Sequence, residues 1–452
     1  MTGPWVNDSN AALLTDLYEL TMLQSYFDAG MSDTAVFDLF IRRLPSNRNY
    51  LVACGLEHAL HYLETLTFSA EAIDYLRSLG RFSEAFLQTL HNFKFTGDVY
   101  AVPEGTVIFP DEPLIEVIAP LREAQLVETF LMNQIQLGSL AASKAARVVS
   151  AARGRSVVDF GARRMHGADA ALKQPRAFYI GGVNSTSSVL AGHLWGVPVA
   201  GTMAHSYILA FENEIDAFRQ FVKTYPTAIF LIDTYDVTEG VKHVVQLARE
   251  MGSDFRLSGV RLDSGDLAKH ANDVRRKLDA AGLNFVKIFA SSSLDEYEIT
   301  RLVSAGVPID GFGVGRHLAT SSDVPALDTA YKLVEYAGFP KMKLSESKTT
   351  LPGRKQIFRQ VSSRKAVRDI LGLAGEKNVF GEPLLLKVME NGRRTTNPDP
   401  LETCRLRCKA QLDALPDRLL DLSRADPVYP VELSPELSSL QRKVSARKIP
   451  YL

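Results

Sequence analysis

The stretch VPVAGTMAHSY, residues 197–207, runs from a short apolar segment into Gly201, Thr202 and His205. A buried strand that ends here would present the imidazole at its carboxyl end. Three other stretches also place a polar loop after an apolar run: DFGARRMHG (159–167), GVRLDSGD (259–266) and DGFGVG (310–315). Because the carboxyl ends of parallel strands lie at one edge of a sheet, we expect the four loops to form one shared site.

The spacing of apolar runs predicts an α/β fold. Each run is followed by a polar or glycine-rich loop and usually by a helix, and the runs begin near Ser156, Ala177, Val197, Ala228, Phe255, Phe285 and Ile309. This series favours an irregular TIM-like (β/α) barrel. A doubly wound open sheet has the same local pattern, and periodicity alone does not decide between the two.

The two ends of the chain follow a different pattern. Residues 9–30 predict an amphipathic helix that carries Tyr18, and residues 93–119 alternate as antiparallel strands do. We therefore expect an N-terminal α/β domain at 1–125, a barrel at 126–340, and a C-terminal segment at 341–452 that packs on the N-terminal domain. The two ends would together build a second, smaller α/β domain.

Local signals set the expected helix limits. Asp236 to Glu239 and Ser293 to Glu296 have the spacing of capping boxes, and Gly282 and Gly306 stand where helices should stop. One long helix is predicted from about residue 120 to the first strand of the barrel.

Composition excludes several classes of protein. The chain has 452 residues, a net charge of −1 and 46% hydrophobic residues, so no overall field attracts nucleic acid or an anionic membrane. The three cysteines, Cys54, Cys404 and Cys408, are too few for a disulfide framework. No run approaches the roughly 18 apolar residues of a membrane helix, and the first residues lack a signal-peptide pattern. We expect a cytoplasmic protein.

Charged residues at the expected strand ends suggest an anionic ligand. Arg163 and Arg164 follow a glycine and suit a carboxylate or a phosphate, although a surface salt-bridge pair is the alternative. Asp263 and Asp266 beside Arg261 suit ribose hydroxyls or a magnesium ion that bridges phosphates. Helix capping is the alternative role for Asp266.

Two glycine-rich loops add potential phosphate contacts. The segment GGVNSTSS (181–188) precedes a helix, and DGFGVG permits close approach of the backbone to a phosphate. His205 has neither the neighbours of a catalytic triad nor the spacing of a metal site, so a structural role is as open as a catalytic one. These residues alone indicate a phosphate-handling enzyme.

A series of motifs in fixed order extends over most of the chain. They are LLTDLYELTM (13–22), DFGARRMHGADAAL (159–172), FYIGGVNSTSS (178–188), GVPVAGTMAHSY (196–207), GVRLDSGDL (259–267), GFGVG (311–315) and LPGRKQ (351–356). Together they resemble the nicotinate phosphoribosyltransferases, a family of type II phosphoribosyltransferases. The resemblance implies an irregular α/β barrel beside a smaller α/β domain, in a head-to-tail homodimer with active sites at its interface.

The resemblance also implies a reaction. The family joins nicotinate to 5-phosphoribosyl-1-pyrophosphate, which gives nicotinate mononucleotide and pyrophosphate in NAD salvage. It couples this step to ATP hydrolysis through a phosphorylated histidine, which the GTMAHS motif assigns to His205. Magnesium is expected to bind through the pyrophosphate, with Asp263 as the one candidate protein ligand. The expected catalytic residues are His205, Asp263 and Asp266.

Further roles follow from the same resemblance. Tyr18 would stack on the pyridine ring from the partner subunit, and the loop at 313–315 would hold the 5-phosphate. The implied substrate-binding residues are Tyr18, Phe160, Gly161, Arg163, Arg164, Ser185, Thr202, Arg261, Gly313, Val314, Gly315, Arg316 and Thr320. One departs from the family pattern: Arg316 stands where the family usually has a threonine, and Thr320 is a candidate to supply the missing hydroxyl.

Two alternatives remain at this point. A nicotinamide phosphoribosyltransferase has the same fold, but the GARR and GTMAHS motifs favour the acid, and no acidic residue is placed to grip an amide. A non-catalytic ligand-binding regulator on this scaffold would be expected to have lost Asp263, His205 or an arginine, and all are present.

Overall fold

The computed structural model describes residues 5–345, 348–377 and 379–446. The chain divides into two compact units, the first made of Met1–Ser143 with Ala326–Leu452 and the second of Lys144–Pro325. The unit built from the two ends is the larger one, so the expectation of a smaller terminal domain is wrong. It is larger because the C-terminal segment contributes a four-stranded sheet of its own. The boundaries expected at 125 and 340 remain a prediction.

The helices follow the chain in this order: α1 (Leu17–Asp28), α2 (Leu56–Thr65), α3 (Ala70–Ser78), α4 (Glu84–Leu90), α5 (Leu121–Leu126), α6 (Glu128–Ala152), α7 (Ala168–Ile180), α8 (Val189–Trp195), α9 (His205–Leu209), α10 (Glu214–Thr224), α11 (Val237–Met251), α12 (Leu267–Ala280), α13 (Glu296–Ser304), α14 (Arg316–Ala319), α15 (Leu401–Asp413), α16 (Asp417–Leu420) and α17 (Pro435–Ser445). Short 3₁₀ turns lie at Ala11–Leu13, Ala162–Arg164 and Gly252–Asp254.

The strands are β1 (Thr34–Ile41), β2 (Leu51–Val52), β3 (Asp98–Ala101), β4 (Val107–Ile108), β5 (Pro113–Pro120), β6 (Ser156–Asp159), β7 (Ser185–Thr186), β8 (Ile229–Leu231), β9 (Gly259–Leu262), β10 (Lys287–Ala290), β11 (Gly311–Val314), β12 (Thr329–Tyr336), β13 (Phe339–Pro340), β14 (Lys355–Ser362), β15 (Lys365–Leu373), β16 (Glu382–Pro383), β17 (Leu386–Glu390), β18 (Arg393–Arg394) and β19 (Val431–Leu433).

The second unit is built on a parallel sheet whose strands follow a cyclic order. The order is β7-β6-β11-β10-β9-β8, and Val199 adds a parallel bridge beside Thr186 of β7. The first strand of the series, β6, therefore pairs with the last, β11, and every other pair joins neighbours in the chain. A doubly wound sheet lacks this first-to-last pairing. Among the described residues, the sheet is open between Val199 and β8.

The strands of this parallel sheet are apolar and buried, and helices follow most of them along the chain. Val157, Val260, Ile288 and Phe312 are buried, each on a different strand. Buried parallel strands are expected to be apolar on both faces. The parallel sheet and its helices confirm the mixed α/β fold that the apolar runs of the sequence predict.

Four local predictions are wrong. No buried strand leads to His205, because residues 197–204 contribute a single bridge at the exposed Val199 and His205 begins α9. The apolar run at Ala177 lies in α7, where Ala177, Phe178 and Ile180 are the buried face of a helix rather than a strand. Helix α13 is capped by Asp295, which accepts from the backbone of residues 297 and 298, so Ser293 is not its cap. The long helix expected from residue 120 is two helices, because Val127 ends α5.

Other local predictions are confirmed. Asp236 caps α11 by accepting from the backbone of residues 238 and 239. Gly282 and Gly306 follow α12 and α13 with φ values of 73° and 67°, the left-handed backbone that favours glycine after a helix.

The first unit joins segments from both ends of the chain. Its seven-stranded sheet has the order β13-β12-β1-β5-β3-β17-β18, so β1 lies between an N-terminal strand and a strand from beyond residue 326. A second sheet, β16-β14-β15-β19, comes entirely from the C-terminal segment, and β2 pairs with β4. β3 and β5 are antiparallel, as the alternation at 93–119 predicts.

Gly55 marks a close approach between α2 and α6. Its φ is +104°, and a Cβ atom there would lie 2.3 Å from the carbonyl oxygen of Gln134. Gly30 also has a positive φ, but nothing lies within 4 Å of the corresponding position. We expect Gly55→Ala to lower the free energy of unfolding by roughly 1–3 kcal/mol more than Gly30→Ala. Urea denaturation of both variants tests this, and equal losses would contradict the close approach.

Candidate active site

A cleft of about 470 Å³ lies at the carboxyl ends of the parallel strands in the second unit. Every predicted strand-end loop contributes to it, since its lining residues are Phe160, Arg163, Arg164, Ser187, Gly201, Thr202, Met203, Ala204, Arg261, Asp263, Ser291, Ser292, Ser293, Gly313, Gly315 and Arg316. A cleft at this edge is where α/β sheets bind ligands.

Asp159 holds the end of β6 in place. Its Oδ1 accepts from Gly161 N at 2.7 Å, and its Oδ2 accepts from Thr186 Oγ1 at 2.8 Å. The side chain is fully buried, and burial raises its pKa to about 6 although both hydrogen bonds act to lower it. The carboxylate therefore orients the DFGARR loop from beneath the cleft.

The ring of Phe160 occupies the space that a side chain at position 313 would need. A Cβ atom on Gly313 would lie 2.4 Å from Phe160 Cε2, so this position requires glycine. The Arg261 guanidinium lies over the same ring, 5.7 Å from its centroid. A cation–π contact of this kind fixes the arginine at the cleft.

Arg261 is the partly buried cation of the cleft. Its Nη1 donates to Thr202 Oγ1, whereas its buried Nε has no hydrogen-bond partner among the described residues. Burial lowers its pKa, and Asp263 and Asp233 oppose that effect. A buried donor without a partner is costly, so this guanidinium is prepared to bind an anionic group.

Three more guanidinium groups line the cleft at its exposed side. Arg163 and Arg164 lie on the 3₁₀ turn after β6, and Arg316 begins α14 after β11. Asp263 is the single carboxylate among the lining residues. This balance of charge favours anions such as phosphates and carboxylates.

Asp263 and His205 lie side by side. His205 Nε2 is 3.6 Å from Asp263 Oδ2, and its Nδ1 is 3.1 Å from Thr234 Oγ1. Asp263 Oδ1 accepts from Ser291 Oγ, and the Asp263 backbone donates to Asp233 Oδ2 at 2.7 Å. Both side chains are about one-third exposed, so they are accessible to a ligand.

Sequence reasoning missed two parts of this cleft. Asp233 supports the backbone at position 263, and the serines at 291–293 form a wall after β10. Ser292 and Ser293 have φ values of 89° and 45°, a left-handed backbone that is strained for residues other than glycine and that concentrates at functional sites. The signal was present, because SSS follows the apolar run IFA as the other loops follow their strands.

Other predicted residues lie outside the cleft lining. Gly161 and Val314 are buried behind it, and Ser185 lies in β7. Asp266 caps α12 by accepting from Lys269 N at 3.1 Å, which is the alternative role considered for it. Thr320 donates to the Arg316 carbonyl at 3.0 Å.

Tyr18 belongs to the first unit. It lies on α1 with 48% of its surface exposed, and burial of its hydroxyl raises its pKa, as does neighbouring Glu128. Its role, like the roles of the other predicted residues, stays a prediction.

Comparisons with known proteins agree with the motif series. Residues 13–136 match the model for the nicotinate phosphoribosyltransferase N-terminal domain, 155–365 that for the nicotinate phosphoribosyltransferase family, and 377–441 that for the C-terminal domain. Nicotinate phosphoribosyltransferase pncB2 of Mycobacterium tuberculosis is 52% identical over 94% of this chain and 91% of its own length. The chain belongs to the nicotinate phosphoribosyltransferase family.

Other members support the assignment. Nicotinate phosphoribosyltransferase of Bacillus subtilis is 40% identical over 82% of this chain and 78% of its own. The crystal structure of human nicotinic acid phosphoribosyltransferase superposes with a TM-score of 0.85 at 30% identity, covering 95% of this chain and 99% of that one. The nicotinate phosphoribosyltransferase fold therefore extends over both units.

The described residues carry neither a membrane-spanning helix nor a metal cluster of protein ligands. No helix there combines the length and apolar character needed to cross a membrane. No group of three or more His, Cys, Asp or Glu side chains is arranged there as metal ligands.

The buried Asp159 predicts a pH dependence of stability. Its folded pKa of about 6 lies above the usual value of an aspartate, so the folded state binds the proton more tightly and its contribution to stability is lost as the pH rises from about 4 to 6. Asp159→Asn is neutral at every pH. We expect the wild type to lose roughly 3 kcal/mol relative to this variant across that range. Urea denaturation at several pH values tests this, and a constant difference would contradict it.

Proposed function

We propose that this protein is a nicotinate phosphoribosyltransferase of NAD salvage. It would join nicotinate to 5-phosphoribosyl-1-pyrophosphate and release nicotinate mononucleotide and pyrophosphate. The observation that carries the proposal is the convergence of Arg163, Arg164, Arg261 and Arg316 on one cleft beside Asp263. The names of its relatives supply the substrates.

The cleft offers a separate group for each part of the substrates. Arg261, held by Thr202, is suited to the nicotinate carboxylate because it lines the cleft as a cation of fixed position. The backbone at 313–315, with Arg316, is suited to the 5-phosphate. The exposed Arg163 and Arg164 are suited to pyrophosphate, and Asp263 to the ribose hydroxyls.

The proposed chemistry needs no side-chain nucleophile. The pyridine nitrogen bonds to C1 of the ribose as the C1–O bond to pyrophosphate breaks, and the bonding electrons leave with pyrophosphate. Positive charge develops on the ribose in an oxocarbenium-like transition state. The residues bind the two partners in contact, neutralise the leaving group and exclude water.

Magnesium fits this cleft as a partner of the substrate rather than as a resident ion. Mg²⁺ is commonly held by one or two carboxylates together with substrate phosphates, and Asp263 is the carboxylate that lines the cleft. The ion would supply charge neutralisation for the leaving pyrophosphate. Ser291 donates to the Asp263 carboxylate, and the Asp263 backbone donates to Asp233. These two contacts fix the position of the carboxylate that would meet the ion.

The proposal includes ATP as a co-substrate, which makes the enzyme ATP-dependent and ligase-type. An imidazole nitrogen of His205 would bond to the terminal phosphorus of ATP as its bond to ADP breaks, and water would later release the group from the imidazole as inorganic phosphate. Its imidazole is held between Thr234 and Asp263, so a phosphoryl group there would change the charge beside the ribose site. We propose a positioning and energetic role for this step rather than one in breaking the C1–O bond.

A homodimer completes the proposed site. Tyr18 is half-exposed on α1 and would stack on nicotinate in the partner's cleft. The second unit exposes apolar side chains on α8 and α9, namely Val189, Leu190, Leu194 and Leu209, which suit burial against another copy.

We further propose that the parallel sheet closes as an irregular TIM-like barrel. A cytoplasmic location is proposed because none of the three cysteines forms a disulfide.

The deciding experiment is a substrate assay. Purified protein would receive labelled nicotinate, nicotinamide or quinolinate with 5-phosphoribosyl-1-pyrophosphate and magnesium, with and without ATP. We expect nicotinate mononucleotide, formed faster with ATP. Preferential use of nicotinamide would replace the proposed substrate, and binding without any product would indicate a regulator.

Arg316 provides a test of the phosphate site. We expect Arg316→Ala to raise the KM for 5-phosphoribosyl-1-pyrophosphate about tenfold or more, because a charged hydrogen bond contributes roughly 1.5–3 kcal/mol. The KM for nicotinate should change little. Arg276→Ala is the control, since Arg276 is a highly exposed arginine on α12 outside the cleft lining. Equal kinetics in both variants would exclude Arg316 from the phosphate site.

His205 provides a test of ATP coupling. Incubation with ATP labelled at its terminal phosphate should give a phosphoprotein that is stable to base and labile to acid. His205→Asn keeps hydrogen-bonding capacity but has no imidazole, so labelling and ATP stimulation should disappear while slow ATP-independent synthesis remains. His193→Asn, an exposed histidine on α8, is the control and should label normally. Labelling of the His205 variant would assign the phosphate to another residue.

A further inference from the structure

Helix α1 carries two adjacent side chains with opposite surroundings. Tyr18 is 48% exposed, whereas the side chain of Glu19, the next residue, is fully buried. Successive residues of a helix point about 100° apart, so Glu19 reaches into the first unit while Tyr18 stays at its surface. The contacts that hold Glu19 therefore also determine how Tyr18 is presented.

One side-chain amide holds Glu19 together with a second carboxylate. Gln125, on α5, donates through Nε2 to Glu19 Oε2 at 2.7 Å and to Glu128 Oε2 at 3.2 Å. Glu19 Oε1 is buried and has no hydrogen-bond partner among the described residues. The two acids thus share one donor, and their charges would face each other across a single amide if both were ionised.

The groups around Glu19 do not neutralise it. The titratable groups that raise its pKa or respond to its charge are Tyr18 and Tyr26 on α1, Tyr62 on α2, Glu128 on α6 and Tyr331 on β12. The ammonium of this cluster belongs to Lys332, and its Nζ lies 3.7 Å from Glu128 Oε1. Asp16, at the start of α1, accepts from Thr129 Oγ1 at 2.9 Å. The negative charge of Glu19 therefore depends on Gln125 alone for a printed-distance donor among the described contacts.

The pair retains a proton close to neutral pH. Burial raises the pKa of Glu19 to about 7, while Gln125 opposes this effect and Glu128 adds to it. Two carboxylates that share a site do not both ionise readily, so they titrate as a unit. A protonated Glu19 can donate to Glu128, which makes the contact between α1 and α6 attractive. Two ionised side chains repel each other at the same place.

We propose that the Glu19–Glu128 pair, bridged by Gln125, positions Tyr18 and that it does so while it holds one proton. Loss of that proton sets two negative charges against each other and loosens α1 from α5 and α6, so the Tyr18 ring is presented less precisely. Both acids are positioning residues, since neither lines the cleft of the second unit. The consequence for nicotinate rests on the proposed function, whereas the loosening of α1 does not.

The direction of the pH effect follows from where the proton binds more tightly. Glu19 holds its proton more tightly in the folded protein than an exposed glutamate does, so its contribution to stability is complete at acidic pH. That contribution is lost as the pH rises through about 7. We therefore expect α1 to be held more firmly at pH values below neutrality than above it.

Hydrogen exchange of α1 tests the loosening without any substrate. The amides of residues 17–28 would be followed in the wild type, Glu19→Gln and Glu128→Gln, with correction for the intrinsic exchange rate. We expect the wild type to lose protection about tenfold between about pH 6 and about pH 8, because one pKa unit corresponds to a tenfold change. Both variants lack the repelling pair and should keep their protection. Glu128 is only partly buried, so its variant keeps the test valid if Glu19→Gln folds poorly.

Steady-state kinetics test the link to Tyr18. The KM for nicotinate of the wild type should rise about threefold to tenfold over the same pH range with kcat nearly constant, because a poorly placed ring loses stacking contact. Glu19→Gln and Tyr18→Ala should both lack this rise. Glu71→Gln, which changes an exposed acid on α3, is the matched control and should follow the wild type.

Several outcomes would overturn the inference. They are protection of α1 that does not change with pH in the wild type, the same change in both variants, and a constant nicotinate KM in an active enzyme whose α1 does loosen. Absence of nicotinate mononucleotide would instead refute the proposed function, and the exchange data would still decide whether the pair holds α1.

Discussion

Strands β6 and β11 pair in parallel, with Ser156 opposite Gly311 and Asp159 opposite Val314. This pairing joins the first and last strands of the series, and the cleft depends on it. Phe160 N donates to Val314 O directly beyond the paired residues, which sets the Phe160 ring over Gly313. The ring in turn lies under the Arg261 guanidinium. A shift of one residue in this register would move the alternating side chains to the other face of the sheet.

Two buried carboxylates of the second unit are held by two donors each. In the second unit, Asp159 has both oxygens satisfied, and Glu296 accepts from Lys144 and Arg147, which keeps the pKa of Glu296 below its usual value despite burial. Breaking a buried ion pair is strongly destabilising, so the Glu296 contacts hold α6 against the start of α13. Other buried charges are only partly satisfied: Asp38 Oδ1 in the first unit and Arg261 Nε in the second have no hydrogen-bond partner among the described residues. The satisfied groups have a structural role.

The cleft combines fixed and accessible cations. Arg261 is partly buried and held by Thr202 and the Phe160 ring, and so is prepared for a single anionic group of fixed position. The exposed Arg163, Arg164 and Arg316 can adjust to larger phosphate groups. A transferase that binds a flat carboxylate and a flexible diphosphate needs both kinds, because little reorganisation is then required at the reacting centre.

The sequence by itself determined the α/β class, the family and most strand-end loops, because apolar runs followed by glycine and charge are local signals. It also marked His205, Asp263 and Arg261 as residues of one site. Other features depended on contacts between distant residues, which local patterns do not contain. The apolar run at Ala177 is equally compatible with a buried helix face and with a strand. The capping role of Asp266 depends on the residue at which α12 begins. Only the tertiary structure paired β6 with β11, placed Asp233 beneath Asp263, and left Asp38 Oδ1 without a donor, because each results from packing between segments far apart in the chain.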